Sequence, residues 1–182
     1  MNGILTWDDL NKFEDAIRDD TILASVMHVN NEIGVIQPIK ELGAICKNKG
    51  IIFHVDAAQS MGKLSINVDD MGIDLLSISA HKFYGPKGVG ALYVRRKNPR
   101  VQLQPIMFGG GHERGIRSGT LPVPNIVGMG RACDIAADVM IEENLRISQL
   151  RDTLLKGIRA ENPNARINGS MEHRVAGNLN MS

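Results

Sequence analysis

The fold is decided by an apolar run that an aspartate closes, Ile51-Ile52-Phe53-His54-Val55-Asp56-Ala57-Ala58-Gln59-Ser60. A second apolar run, residues 74–79, stops just before a histidine–lysine pair that ends at Lys82. Short apolar runs bounded by polar residues are typical of buried strands. If both runs are strands of one parallel sheet, Asp56 and Lys82 lie at the same sheet edge, where open α/β folds bind ligands.

The residues before this stretch predict the alternation of helices and strands that a parallel sheet requires. Their pattern predicts a helix over residues 7–18 capped by Thr6, a strand over residues 21–29 and a helix from Pro38 to Gly50. This order indicates parallel strands with right-handed crossovers. Four polar residues that follow the predicted strands are therefore expected to converge at one edge: Asn31, Asp56, Gln59 and Lys82.

The rest of the chain predicts a connecting helix and a second unit. A loop with a short helix is expected between the two opening runs. Residues 91–94 predict a further strand. Because the connection to the preceding strand is too short for a crossover, this strand is expected to be antiparallel to it. Residues 109–120 form a glycine-rich loop whose amides could cradle an anion. From Pro124, helical periodicity runs for about 35 residues, or about 50 Å. The residues after Asn162 resemble the start of a new sheet.

Composition and charge argue against several classes of protein. Of 182 residues 43% are hydrophobic, and 21 basic and 20 acidic residues leave a net charge of +1. This balance gives no electrostatic reason to expect nucleic acid or a membrane surface as a partner. No apolar run approaches the ~18 residues of a membrane span, and residues 1–7 lack a signal sequence. We expect a cytoplasmic protein, or a mitochondrial one if a transit peptide precedes the chain.

The two cysteines, Cys46 and Cys133, are expected to be buried apolar side chains. They lie far apart on predicted helices and do not form a metal-ligand spacing. We therefore predict no metal site and assign no chemistry to either thiol.

Lys82 and Asp56 together indicate a cofactor site. A lysine that is partly desolvated at a strand end can lose its proton and attack a carbonyl to form a Schiff base. A buried carboxylate needs a partner, and a pyridinium nitrogen is one that keeps it ionised. The spacing from Asp56 through Gln59 to Lys82 is what a pyridoxal 5′-phosphate site requires.

At these residues the sequence resembles a known family. It is similar to the class V pyridoxal-phosphate enzymes and, among them, to the cysteine desulfurases that supply sulfur for iron–sulfur clusters. The matching segments are residues 27–34, 54–60, 79–88, 109–115 and 117–120. The resemblance implies a three-layer α/β/α large domain with a mostly parallel sheet over residues 1–122. A long connecting helix over 123–161 and the start of a small α+β domain over 162–182 would follow.

The resemblance also implies roles for the four residues at the sheet edge. Lys82 would bind the cofactor covalently and later move protons on the substrate. Asp56 would pair with the pyridine nitrogen and keep it protonated. Gln59 and Asn31 would hydrogen-bond or flank the phenolic oxygen of the ring.

The phosphate would be held by residues from two subunits. Ser79 and His81, with the backbone around Ala80, are implied to bind it within one chain. Thr120 is implied to reach across a homodimer interface to the phosphate in the partner subunit.

The implied reaction is the desulfuration of L-cysteine to L-alanine, with the sulfur passed through an enzyme persulfide to an iron–sulfur scaffold or another acceptor protein. The family's nucleophilic cysteine and carboxylate-binding arginine have no counterpart in residues 1–182, so an internal part of a protein roughly twice as long is expected. Two alternatives stay open: another class V activity such as selenocysteine lyase, and a truncated, non-catalytic chain.

Overall fold

The computed structural model describes residues 7–182 and shows an α/β fold built on one four-stranded sheet. Its helices are α1 (Trp7–Asp15), α2 (Ile39–Lys49) and α3 (Val123–Glu161), and its strands are β1 (Leu23–Met27), β2 (Ile52–Asp56), β3 (Leu75–Ser79) and β4 (Gly90–Val94). Two short 3₁₀ helices cover Ala80–Phe83 and Glu113–Gly115. The cap expected at Thr6 lies outside the described residues.

The strands are arranged as the sequence predicts. Their order is β1-β2-β3-β4, in which β1, β2 and β3 pair in parallel and β4 is antiparallel to β3. Met27 and Ser77 lie beside Asp56 in register, so the carboxyl ends of three strands meet at one edge. The predicted parallel core and antiparallel β4 are both confirmed.

One face of the sheet packs against α1 and α2 because alternate strand residues are apolar. Phe53 and Val55 of β2 are fully buried against Leu42 and Cys46 of α2. The helix ends at Gly50, whose φ of +69° lets its amide bond back to the carbonyls of residues 46 and 47.

The opposite face carries a polar row that crosses three strands. His54 Nδ1 lies 2.7 Å from Ser25 Oγ, and His54 Nε2 lies 2.7 Å from Ser77 Oγ. Leu23 and Leu92 flank this row and are about half exposed (46% and 48%). This face is therefore open to solvent in the part of the chain that the structure describes.

A buried acid joins the sheet to its antiparallel edge. Asp74, which precedes β3, accepts a hydrogen bond from the Phe53 amide of β2 (3.1 Å). Its other oxygen lies 3.0 Å from Arg95 Nε at the end of β4. Because both groups are largely buried, removing either partner would leave an unpaired charge in the interior.

Three local predictions are wrong in detail. The helix expected over residues 7–18 ends at Asp15. Beyond it the chain forms tight turns, in which an amide donates to the carbonyl three residues earlier, as Ile17 does to Glu14. The strand expected over residues 21–29 ends at Met27, because Val29 pairs with Ile36 across a turn. No short helix forms between Gln59 and Asp74; successive turns occupy this connection, with Gly62 and Gly72 at φ of +74° and +63°.

The long helix lies where periodicity predicts it. α3 has 39 residues and follows Pro122, so it is about 58 Å long. Its Ala132 packs on the 3₁₀ helix that contains Lys82. Beyond α3, Arg166 and Ser182 exchange two backbone hydrogen bonds (2.7 and 2.9 Å), and Ile167 and Met181 form an isolated antiparallel bridge. The proposed division into domains stays a prediction.

The helices of the described residues include none that is long and apolar enough to cross a membrane.

The glycine at position 43 should be needed for close packing of α2. A Cβ at Gly43 would lie 2.1 Å from the carbonyl oxygen of Met71. We therefore expect Gly43→Ala to lower the free energy of unfolding by about 1–3 kcal/mol. Gly130→Ala in α3 is the matched control, because an added Cβ there meets nothing within 4 Å; it should raise stability by up to about 1 kcal/mol. Urea unfolding checks both, and equal effects would contradict the packing argument.

Candidate functional site

A cleft of about 480 Å³ lies between the carboxyl ends of the strands and the long helix. Three residues predicted at the sheet edge line it together: Asn31, Gln59 and Lys82. Val139 and Asn144 of α3 form the facing wall, and Asn178 of the C-terminal segment closes one side. Three of the four residues predicted to converge at this edge therefore line one cleft, whereas Asp56, at the end of β2, is not among its lining residues.

Lys82 owes its position to the end of β3. The strand runs directly into the 3₁₀ helix Ala80–Phe83, which ends at Tyr84 in the left-handed conformation (φ +66°). The Lys82 side chain is exposed, lines the cleft and forms no ion pair among the described residues. Its amine is therefore available to an incoming carbonyl group.

Asp56 ends β2 and presents a carboxylate without a cationic partner. Its Oδ1 accepts the Ala58 amide at 2.9 Å, which fixes the side chain in a tight turn. The carboxylate is half-buried and forms no ion pair in the part of the chain that the structure describes. A partly desolvated carboxylate of this kind favours a positively charged N–H partner.

The three residues predicted to hold a phosphate lie at the end of β3 but outside the cleft lining. Ser79 Oγ lies 3.1 Å from His81 Nδ1, so the two side chains form a polar pair. Ala80 is fully buried, and its amide donates to the Val89 carbonyl at 3.2 Å. Because the Ala80 amide is already bonded, the Ser79–His81 pair supplies the polar side chains at this strand end.

Asn31 stands on a tight turn that its neighbours build. Asn30 Oδ1 accepts the amides of Glu32 and Ile33, both at 2.9 Å, and Gly34 completes the turn at φ +69°. The Asn31 side chain makes no hydrogen bond within the described residues and faces the cleft. Its amide group is therefore free for a ligand.

Thr120 lies apart from the other predicted residues. It is exposed in the loop before α3 and does not line the cleft. The same loop is anchored by buried Ser118, whose Oγ accepts the Gly111 amide at 3.3 Å. Thr120 does not join the site of its own chain, in keeping with the predicted role across a dimer interface, which stays a prediction.

Sequence reasoning missed several polar residues of the cleft, among them Lys63, Asn144 and Asn178. Lys63 is half-buried, and burial together with the nearby charge of Lys82 lowers the pKa of its ammonium group. Asn144 donates to the Lys63 carbonyl at 2.7 Å, which ties α3 to the connection after β2. No local pattern marks these residues, since they meet only through long-range packing.

Neither cysteine is placed for nucleophilic chemistry. Cys46 lies in the core behind the sheet, and burial raises the pKa of its thiol to about 11. Burial also raises the pKa of Cys133 on α3. The described residues also contain no group of three or more acidic, histidine or cysteine side chains that could hold a metal ion.

The comparison with family sequences gives one match over nearly the whole chain. The family described as Aminotransferase class-V matches residues 2–182. The chain belongs to this family.

Relatives and solved structures agree with this class-V assignment. The Cysteine desulfurase IscS of Tolumonas auensis is 62% identical over 181 residues, which are 100% of this chain and 44% of that protein. A solved NifS-like protein superposes with a TM-score of 0.90 at 39% identity, over 100% of this chain and 48% of that one. The structure of SspA in complex with cysteine gives a TM-score of 0.67 at 50% identity, over 73% of this chain and 37% of that one. The class-V chain thus spans less than half the length of these proteins.

One buried group beneath the site of this class-V chain lacks a partner. His28 is 4% exposed, and its Nδ1 has no hydrogen-bond partner among the described residues. Its amide donates to the Asp56 carbonyl (3.0 Å), and its carbonyl accepts from Gln37 (2.8 Å). Burial lowers the pKa of the His28 imidazole below its ordinary 6.5.

This burial predicts a pH-dependent stability. The unfolded chain binds a proton at His28 more readily than the folded chain does, because burial lowers the pKa of His28 only in the folded chain. The contribution of neutral His28 to the free energy of unfolding is therefore fully present above pH 6.5 and is lost as pH falls toward the lowered pKa. We expect His28→Gln to flatten the decline in unfolding free energy as pH falls below 6.5. His173→Gln, which changes an exposed histidine, is the control. Urea unfolding across this range measures the slope, and parallel slopes for the wild type and His28→Gln would refute the prediction.

Proposed function

We propose that the whole protein is a pyridoxal 5′-phosphate-dependent cysteine desulfurase that converts L-cysteine to L-alanine and passes the sulfur on for iron–sulfur cluster assembly. The observation that carries the proposal is the meeting of Asn31, Gln59 and Lys82 in one cleft, with Asp56 at the end of the neighbouring strand. The name of the Tolumonas auensis relative and the cysteine in the SspA structure support the substrate.

The residues of the site fit the cofactor that the family implies. The fit requires a free amine, a carboxylate without a cation and donors for a ring oxygen and a phosphate. Lys82 and Asp56 supply the first two groups, since neither has an ion-pair partner among the described residues. Asn31 supplies a free amide, and the Ser79–His81 pair supplies polar side chains at the strand end.

Lys82 would hold the aldehyde of the cofactor through Nζ, and the same amine could take up and return protons at the substrate. Asp56, held by the Ala58 amide, would keep the pyridine nitrogen protonated. When bound, pyridoxal phosphate supplies an electron sink for negative charge at the substrate Cα. Asn31 and Gln59 would orient the ring from the side of the phenolic oxygen.

The sulfur acceptor is not assigned to either cysteine of this chain. Cysteine acts as a nucleophile in its thiolate form. Burial disfavours the thiolate at both Cys46 and Cys133. A persulfide-forming cysteine elsewhere in the whole protein is part of the proposal.

The proposal includes a homodimer and a protein that receives the sulfur, such as an iron–sulfur scaffold. The loop around Thr120 supports the dimer, because it begins with exposed apolar residues: Ile106 is 90% and Phe108 is 81% exposed. Large exposed apolar side chains mark protein interfaces. Thr120 would then reach the phosphate bound to the partner.

Two lysines in one cleft provide the direct test of the cofactor site. The protein, expressed from its whole reading frame, should develop a visible absorption band with pyridoxal 5′-phosphate. Borohydride should then fix the cofactor on the peptide that contains Lys82. Lys82→Ala should abolish both signals, whereas Lys63→Ala, the matched control in the same cleft, should retain them. Mass spectrometry of the reduced peptides locates the label, and a label on Lys63 instead of Lys82 would overturn the assignment.

The same protein tests the reaction. Added L-cysteine should yield equimolar alanine and, with a reductant, sulfide, and Lys82→Ala should abolish this turnover. A protein that binds the cofactor but releases no alanine would refute the desulfurase proposal. Preference for selenocysteine over cysteine would favour a selenocysteine lyase.

Mixed dimers test the role of Thr120. A dimer of one Lys82→Ala chain and one Thr120→Ala chain contains one complete site only if Thr120 acts across the interface. We therefore expect differently tagged, co-purified mixed dimers to bind one cofactor with wild-type affinity. The Thr120→Ala homodimer should bind about tenfold more weakly, because it lacks a hydrogen bond to a charged phosphate. Weak binding in the mixed dimer as well would place Thr120 in its own chain's site, whereas wild-type affinity in the Thr120→Ala homodimer would refute any role of Thr120 at the phosphate.

A further inference from the structure

The carbonyl of Glu32 is held by two asparagines from the far end of the chain. Asn178 Nδ2 donates to it at 2.9 Å and Asn180 Nδ2 at 3.2 Å, across 146 and 148 residues of sequence. Glu32 directly follows Asn31. We infer that Asn178 is a positioning residue that holds the turn carrying Asn31 in place, which rests on the proposed role of Asn31 at the cofactor.

The hydrogen bonds within the turn leave the Glu32 carbonyl free to accept from other segments. The Asn30 amide donates to Val35 (2.9 Å), the Gly34 amide donates to Asn30 (3.0 Å), and Asn30 Oδ1 accepts two more amides. None of these bonds uses the Glu32 carbonyl. The C-terminal asparagines therefore supply the hydrogen bonds that fix the peptide next to Asn31.

The amide of Asn178 can face in only one way. Buried Arg174 donates from Nη1 to Asn178 Oδ1 at 2.6 Å, so the oxygen side is occupied and Nδ2 must face Glu32. The remaining Arg174 donors bond to the carbonyls of Ser170 (2.9 Å) and Asn168. Because these partners of the Arg174 guanidinium all lie in one segment, Arg174 holds the side chain of Asn178 in a fixed orientation.

Gly34 allows the two segments to come this close. A Cβ at Gly34 would lie 2.4 Å from Asn178 Cβ, and the φ of +69° is itself unfavourable for other residues. The backbones pair at the same place, since the Val175 amide donates to the Gly34 carbonyl at 3.0 Å. The turn and the C-terminal segment therefore form one packed unit beside the cleft.

A fixed turn matters because a hydrogen-bond donor adds most to binding affinity when it is already in place before the ligand binds. Asn31 has no hydrogen bond of its own among the described residues, so its orientation depends on the peptides on either side. Loss of the Asn178 contact should therefore act through Asn31 and should not exceed the effect of losing Asn31 itself.

Asn178→Asp is the decisive variant. It keeps an oxygen for Arg174 and replaces the donor to Glu32 with a second carboxylate oxygen, whose charge Arg174 pairs, so the protein should remain folded. We expect cofactor binding to weaken about two- to tenfold, the range for one lost hydrogen bond. The absorption maximum of the bound cofactor should move in the same direction as in Asn31→Ala. Asn164→Ala, an exposed asparagine in the same segment, is the control and should change neither.

A double-mutant cycle separates positioning from direct contact. The variant with both Asn31→Ala and Asn178→Asp should bind the cofactor no more weakly than Asn31→Ala alone, because coupled residues are not additive. Amide hydrogen exchange of the cofactor-free protein gives a second readout. Residues 32–34 should exchange faster in Asn178→Asp and at the wild-type rate in Asn164→Ala.

The outcomes are distinguishable from those of the proposed function. If Asn31→Ala weakens binding while Asn178→Asp leaves binding and exchange unchanged, the positioning role is refuted and the cofactor site stands. Additive losses in the double variant also refute it, since Asn178 would then contact the ligand independently. Failure of the proposed function itself is recognised separately, by the absence of a borohydride-fixed label on Lys82.

Discussion

The parallel pairing of β1, β2 and β3 is the constraint on which the candidate site depends. It places the residues after three separate strands at one sheet edge, where Asp56 lies in register with Met27 and Ser77. Asp74 supports this pairing from within the fold, because its carboxylate binds a β2 amide and the Arg95 side chain at the end of β4. A slip of one residue in β2 would exchange Val55 with Asp56 and so turn the carboxylate into the apolar core.

The site combines polar strand ends with a wall from elsewhere in the chain. Short, fixed elements carry the chemical groups: Lys82 lies in the 3₁₀ helix after β3, and Asp56 lies in the turn after β2. The opposite wall comes from α3, where Ala132 packs on the Lys82 helix and Asn144 bonds to Lys63. Because α3 contacts two of the strand connections, it fixes the width of the cleft as well as closing it.

Many of the hydrogen bonds outside the cleft hold the segments at its edges in place. The turn of Asn31 depends on hydrogen bonds from its own residues and from Asn178, whose orientation Arg174 sets. His28 pairs its backbone with that of Asp56 while its ring is buried without a partner for Nδ1. A buried polar atom of this kind costs stability, whereas the asparagine contacts add to it.

The sequence by itself determined the strands, their directions and the residues at their ends, because alternating burial and short polar turns are local patterns. Asn31, Asp56, Gln59 and Lys82 were predictable for that reason, as was the length of α3. The ends of α1 and β1 were not, because hydrogen bonds to other segments decide them. Only the tertiary structure decided that α3 and Asn178 enclose the cleft. These contacts join residues far apart in the chain, and their geometry follows from how α3 and the segment after it pack back onto the sheet.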